Sequence, residues 1–201
     1  MAMRGTTDVD YFDYTLYQQN LLSGASGEDL WGFWQRQLAG ANPILNLPLD
    51  RPRPAVQTYV GATHSFTLPK LLRGRIGRFL KGEAGVSLFS FFMSVFHILL
   101  YRISGQEDIC VGTPAACRNL EEIERVIGNF VNPIVVRSNI GPKAVFRSFL
   151  RSLHETVIAA LDHQEYPFAL VVEKLAKHRD TSRSAIFQVS YMGFGCKYEM
   201  K

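Results

Sequence analysis

Apolar positions along the chain change period several times, and each change marks an element. Between Asp8 and Leu22, Phe12, Leu16 and Leu21 recur at approximate helical spacing. Ser26 is placed to cap a second helix over Glu28–Leu38, with Asp29 at the reciprocal capping position and Trp31, Phe33 and Trp34 on its apolar side. Gly40 ends that helix, and Pro43, Pro48, Pro52 and Pro54 enforce a stiff, extended crossing. Thr58–Leu68 mixes β-formers with small residues and is expected as a strand. Pro69 starts a helix to about Gly82, with Leu72, Ile76, Phe79 and Leu80 on one side. Ser87 opens another to Ile103, apolar on nearly every face and therefore central.

Asp108–Gly112 reads as a short buried strand, followed by a loop through Pro114, Arg118 and Asn119. Phe130–Ile140 is a strand interrupted by Asn132-Pro133. Asn suits a strand interior poorly and Pro forfeits a ladder hydrogen bond, so a bulge, an edge or an aimed polar group is expected there. Ala144–Leu161 has the cleanest helical period, and Pro167 begins a further helix to about Lys177. Ile186–Phe194 is expected as a closing strand, with Phe187 and Val189 in the core and Gln188 and Ser190 on the other face. Strands separated by helices predict an α/β fold, a mixed sheet layered with helices.

With 201 residues, 47% hydrophobic and 20% charged, the chain can bury one sizeable core. The formal charge of +4 is spread along the chain, the densest basic run being Lys70–Lys81. Neither a clustered patch nor a nucleic-acid module is evident, so no nucleic-acid partner is expected. Cys110, Cys117 and Cys196 are odd in number and unpaired in spacing, which points to a reducing cytoplasm. The stretch Leu88–Tyr101 falls short of the roughly 20 apolar residues a bilayer crossing needs, so no membrane span is expected.

Signals of self-contained catalysis are scarce. The five histidines, His64, His97, His154, His163 and His178, form no adjacent pair. His154-Glu155 misses the zinc motif HExxH because position 158 is Ile. There is no GxSxG elbow and no glycine-rich phosphate loop. His97 within its apolar helix reads as a core histidine, and His163 as a helix-end cap.

Several blocks occur in a characteristic order: Tyr11-Phe-Asp-Tyr14, Leu47–Pro54, Ser104–Asp108 leading into Gly112-Thr-Pro114, Ile127-Gly-Asn-Phe-Val-Asn-Pro133, His163-Gln-Glu-Tyr-Pro-Phe168, and Arg179-Asp-Thr-Ser-Arg183. Together they resemble the condensation domains of nonribosomal peptide synthetases, and specifically their C-terminal half. The resemblance implies a chloramphenicol acetyltransferase-like lobe, one of two that form a V around an active-site channel. On that likeness residues 1–58 match the inter-lobe crossover and Pro-rich connector, and 59–201 the C-terminal lobe, within one structural domain.

The family's His-His-x-x-x-Asp-Gly motif belongs to the other lobe and maps to nothing here, so no catalytic residue is assigned. The resemblance makes Gly112–Arg118 a floor-like element reaching toward the first lobe, and the part after Arg183 adjoins the latch region. Asn132, Arg118, Pro114, Ser182, Arg183 and Gln188 are the candidates for channel or substrate proximity. Asn132 is read equally as an orienting amide and as a backbone anchor; Arg118 as a contact for a carrier's phosphate; Asp180, Ser182 and Arg183 as a local salt bridge and turn. No directly bound cofactor or metal is implied. The expected substrates are phosphopantetheine arms of carrier (thiolation) proteins; the expected partners are the missing N-terminal lobe, those carriers and neighbouring synthetase modules, with self-association through uncovered apolar surface. A non-catalytic docking scaffold is the alternative, and a standalone acetyltransferase-like enzyme ranks last because it would need its own histidine motif.

Overall fold

The computed structural model describes residues 9–83, 85–176 and 180–193. Two helices, α1 (Tyr11–Ser23) and α2 (Ala25–Gln37), meet at Gly24, which ends one and begins the other. Asp10 caps α1 in a reciprocal box with Asp13. Helix α2 thus begins before the predicted start, and Ser26 lies inside it; the cap expected of Ser26 is corrected to the Gly24 backbone. The tight hairpin has a cause at Gly27, where a Cβ would lie 2.5 Å from the Leu22 carbonyl oxygen. Only a residue without a side chain lets the helices approach so closely.

After the connector come α3 (Lys70–Lys81), α4 (Leu88–Ser104, capped by Ser87), β1 (Asp108–Ala115), a 3-10 turn (Glu121–Ile123), β2 (Asn132–Asn139), α5 (Phe146–Asp162) and α6 (Phe168–Leu175). The strands pair antiparallel in unbroken register from Asp108 opposite Asn139 to Ala115 opposite Asn132. Of the alternatives expected at Asn132-Pro133 the bulge is therefore absent and the aimed polar group is present, the Asn132 side chain pointing to backbone groups elsewhere. The break is the first two residues of the strand. Its tolerance follows from the register. Gly112 uses its N–H and C=O on Val189 and Tyr191, so the Gly112–Val135 pair makes no ladder bonds. Two residues on, by alternation, neither does the Pro114–Pro133 pair, and two prolines cost the ladder nothing.

Two other strand expectations change. Thr58–Leu68 is irregular and mostly exposed, because among the described residues no neighbouring strand receives its backbone groups. The closing strand reduces, among described residues, to one parallel bridge between Ser190 and Gly112; Phe194 lies outside the described residues. Gly112 also gives Phe187 its seat: a Cβ there would come within 2.3 Å of that ring.

The sheet separates two cores, as the two-residue period requires. Ile109, Val111 and Val136 face α4 and α5, packing with Met93, Leu100, Leu153 and Val157. Cys110 and Val135 face the opposite layer, with Tyr14 and Trp34 from the first hairpin and Val171 from α6. Helices therefore cover both faces of a two-stranded antiparallel sheet with one isolated parallel bridge, an α/β arrangement as expected, although the mixed character of the sheet is, among the described residues, reduced to that bridge.

Candidate functional site

The end of the sheet at Ala115 and Asn132 is where four of the sequence blocks converge, those at Tyr11–Tyr14, Gly112–Pro114, Ile127–Pro133 and His163–Phe168. Asn132 Nδ2 donates to the carbonyls of Gln164 and Tyr166, both at 2.8 Å, and Oδ1 accepts from the Phe168 amide at 2.9 Å. One side chain thereby ties the start of β2 to the turn between α5 and α6. Both amide hydrogens are spent on backbone. Gln164, which sequence reasoning did not single out, completes the junction: Oε1 accepts from Cys117 N–H and Nε2 donates to the Leu161 carbonyl. The Cys117 thiol donates to the Gln164 carbonyl at 3.3 Å, and burial pushes its pKa up to about 11. That thiol is a packed donor rather than a nucleophile.

Arg118 is half-buried, and its guanidinium gathers the loop that leads into β2. It donates to the carbonyls of Ile123 at 2.6 Å and Val126 at 2.9 Å, and lies 4.1 Å over the Phe130 ring. Tyr11 and Tyr14 of α1 also pack against that ring, at 5.2 and 4.6 Å. Tyr14 is buried, which pushes its phenol up to about 12, with Cys117 and Glu165 adding to the effect. Pro114 completes this end of the sheet opposite Pro133. Asn132, Arg118 and Pro114 thus share one neighbourhood.

Ser182 and Arg183 share another. Asp180 Oδ1 accepts from the Ser182 amide and hydroxyl, and its Oδ2 pairs with Arg183 Nε at 2.8 Å. This is the local salt bridge and turn read from the sequence. Hydrogen bonds from Ser182 hold the Asp180 carboxyl below its usual range. The turn also receives the Pro-rich connector: Thr181 bonds the Ala55 carbonyl and the Gln57 amide, and Arg53 reaches the Ser182 carbonyl. Gln188 forms a third group, its amide clasping Leu45 N–H at 2.7 Å and the Pro43 carbonyl. The connector is stiff by composition and pinned at both ends.

The described histidines are each placed. His163 ends α5, donates Nδ1–H to the Ala159 carbonyl at 2.7 Å and stacks on Phe33 at 3.8 Å, as a helix-end residue should. His97 is fully buried against Ser138, and burial alone lowers its pKa to about 3. His154 meets Ser90, and His64 stacks near Phe66. His178 lies outside the described residues.

A separate half-open cavity of about 360 Å³ lies beside the paired Asp108 and Arg137, lined also by Ser138, Phe149, Ser152 and Thr156. Arg137 grips Asp108 through Nε and Nη2, and holds the Gln37 and Ala39 carbonyls through Nη1. Burial works against the Asp108 charge, but the Arg137 and Asn42 hydrogen bonds and the Arg137 charge bring its pKa below normal. This cross-link fixes the end of α2 to the sheet. Its two ends lie 29 residues apart in the sequence, and their pairing depends on register.

This geometry matches a known fold over almost its whole extent. The chain superposes on a four-domain nonribosomal peptide synthetase, holo-AB3403 bound to AMP and glycine, with TM-score 0.84 at 25% identity, covering 98% of this chain and 15% of that one. The sequence profile described as Condensation domain matches residues 3–193. The chain belongs to the condensation-domain family. Among its relatives, a linear gramicidin synthase of Brevibacillus parabrevis is 41% identical over 184 residues, covering 92% of this chain and 4% of the relative. Phosphinothricin tripeptide synthetase PhsC of Streptomyces viridochromogenes is 35% identical, covering 92% of this chain and 17% of its own length. The X-domain from teicoplanin biosynthesis gives TM-score 0.83 at 27% identity, covering 93% of this chain and 42% of that structure. The chain therefore spans less than half of each of these relatives. No helix among the described residues is long and apolar enough to cross a membrane.

Proposed function

We propose that this chain is the C-terminal, acceptor-side lobe of a nonribosomal peptide synthetase condensation domain, and contributes to amide bond formation between acyl and aminoacyl thioesters carried on phosphopantetheine arms. The observation that carries this reading is one of proportion. The chain is covered almost end to end by its relatives, yet fills only 42% of the X-domain structure. In this reading residues 1–58 are the crossover and connector, and 59–201 the lobe proper. The histidine motif comes from an upstream lobe, and this chain supplies a wall of the channel.

A thioester provides its own leaving group, so the wall's work is to hold two arms in line and exclude water. The Asn132 junction suits that work by rigidity. With both amide hydrogens on backbone carbonyls, it acts by shaping the channel rather than by touching substrate. Pro114 and Arg118 adjoin it as floor, while Ser182, Arg183 and Gln188 hold the connector against the rest of the lobe. Carrier proteins and neighbouring modules are the partners, in the cytoplasm, and the exposed Phe12 of α1, 65% accessible, is part of the surface an upstream lobe would cover or a second copy would occupy.

A separately expressed upstream lobe bearing the histidine motif should bind this chain in a one-to-one complex by native mass spectrometry. The complex should form dipeptidyl thioester from two loaded carriers. Failure to associate, with both lobes folded, would remove the reading. A second reading, a non-catalytic docking scaffold, draws on the X-domain's solved complex with OxyB, in which a structurally similar protein holds a partner (TM-score 0.83, 28% identity). A complex that binds loaded carriers but yields no product would favour it.

A further inference from the structure

We propose that the outward face of α3 is a docking surface for an acidic, partly apolar helix of another protein. The helix carries Lys70, Arg73, Arg75, Arg78 and Lys81, and no acidic residue. All five cations are exposed, and none of their side chains makes an ion pair among the described residues.

That composition works against the helix itself. Lys70 and Arg73 stand in its first turn, where the helix dipole favours carboxylates. Like charges three residues apart, as at Arg75 and Arg78 or Arg78 and Lys81, repel. Gly74 is exposed with no atom within 4 Å of where its Cβ would be, so nothing among the described residues requires a glycine there. A glycine in a helix interior weakens it, but also opens the face to close approach. Leu71, 68% accessible, lies one and two turns from Arg75 and Arg78 on the same side.

The surrounding field adds to this. Arg147 and Arg151 of α5 flank the helix and close on the buried Glu83 carboxylate at 3.2 and 3.0 Å. Two of these arginines thus share one acid, and with the five cations of α3 the local balance is seven positive charges to one negative, in a chain whose whole net charge is +4, leaving the remainder net negative. The basic run that looks merely dense in sequence is spread around the helix, with Lys70, Arg73, Arg78 and Lys81 on the half that faces away from the packed Phe79.

The occupant follows from what the face lacks and offers. The apolar side of α3 is in use: Phe79 packs on Phe91 and Phe146, at 5.9 and 5.8 Å. It cannot enter a bilayer without unpacking, which disfavours a lipid surface. Phosphates would satisfy the cations but leave Leu71 bare. A helix bearing Glu or Asp around a leucine meets both needs, and Gly74 admits its backbone. The surface lies at the Phe146 end of α5, about 25 Å along that helix from the Asn132 junction, so it does not depend on the lobe's assignment to the acceptor side.

The probe is a labelled, stapled helical peptide with glutamates flanking leucines at three- and four-residue spacing, titrated against the full 201-residue chain by fluorescence anisotropy. A glutamine-for-glutamate peptide, phosphatidylserine-containing vesicles and duplex DNA are the comparators. The glutamate peptide should bind best and weaken with salt, and Arg75→Glu with Arg78→Glu should lower its affinity by about tenfold or more. Gly74→Leu should raise thermal stability while lowering peptide affinity, a split that misfolding cannot produce. Equal binding of both peptides, preference for vesicles or DNA, or affinity unchanged by these substitutions would overturn the proposal.

Discussion

The Tyr11 ring occupies the space that a β-carbon on Gly128 would need. A Cβ built there falls 2.2 Å from the ring, and the Tyr11 hydroxyl donates to the next carbonyl, Asn129, at 2.8 Å. Two blocks over a hundred residues apart thus dock through one missing side chain. Gly128→Ala should cost about 1–2 kcal/mol by forcing the ring aside. Tyr11→Phe should cost about 1 kcal/mol by leaving the carbonyl to water. Chemical denaturation of the two single variants and the double should show less than additive loss, since each disturbs the same contact. Full additivity would contradict the docking.

Asn132 supports a second prediction. Asn132→Ala leaves three backbone partners unmet, at a cost of about 2–4 kcal/mol. Asn132→Asp should be little better, because its carboxylate faces the Gln164 and Tyr166 carbonyls that now receive hydrogen bonds. Hydrogen exchange should then rise at Phe168 and Cys117, the amides nearest the junction.

Burial of His97 sets a pH dependence with a definite sign. Its pKa is about 3 in the fold against an ordinary 6.5, so between these values the unfolded chain binds the proton and the fold does not. Stability from this group is complete above about 6.5 and drains away as pH falls, by at most about 1.4 kcal/mol per unit. His97→Gln should flatten that slope between about pH 6 and 4 in urea titrations; an unchanged slope would show that other groups carry it.

Much of the helical layer is legible in the sequence, since α3, α4, α5 and α6 follow apolar period and Pro, Ser and Gly boundaries to within a few residues. The strands are less so. Thr58–Leu68 has strand composition but no neighbouring strand among the described residues, and composition says nothing of neighbours. Asn132-Pro133 announces an interruption, yet only the register explains why it costs no bulge. Of the candidate site, Asn132 stands out by its strangeness in an apolar run. Gln164, Glu83 and the Asp108–Arg137 pair do not, because their importance lies in what they touch across long sequence separations.

Glu83 gives a test of asymmetry. Its carboxylate is wholly buried, while Arg147 and Arg151 are each 62% accessible. Glu83→Gln leaves two arginines that water can solvate, and should cost about 1–2 kcal/mol. Replacing both arginines by alanine strands a buried charge and should cost more, about 3–5 kcal/mol. Equal losses would mean that the carboxylate reaches water.

The most direct test of the central claim offers loaded donor and acceptor carrier proteins to this chain alone, with dipeptidyl thioester followed by mass spectrometry. No product above the uncatalysed rate is expected until an upstream lobe carrying His-His-x-x-x-Asp-Gly is added. Turnover by the 201-residue chain on its own would contradict it.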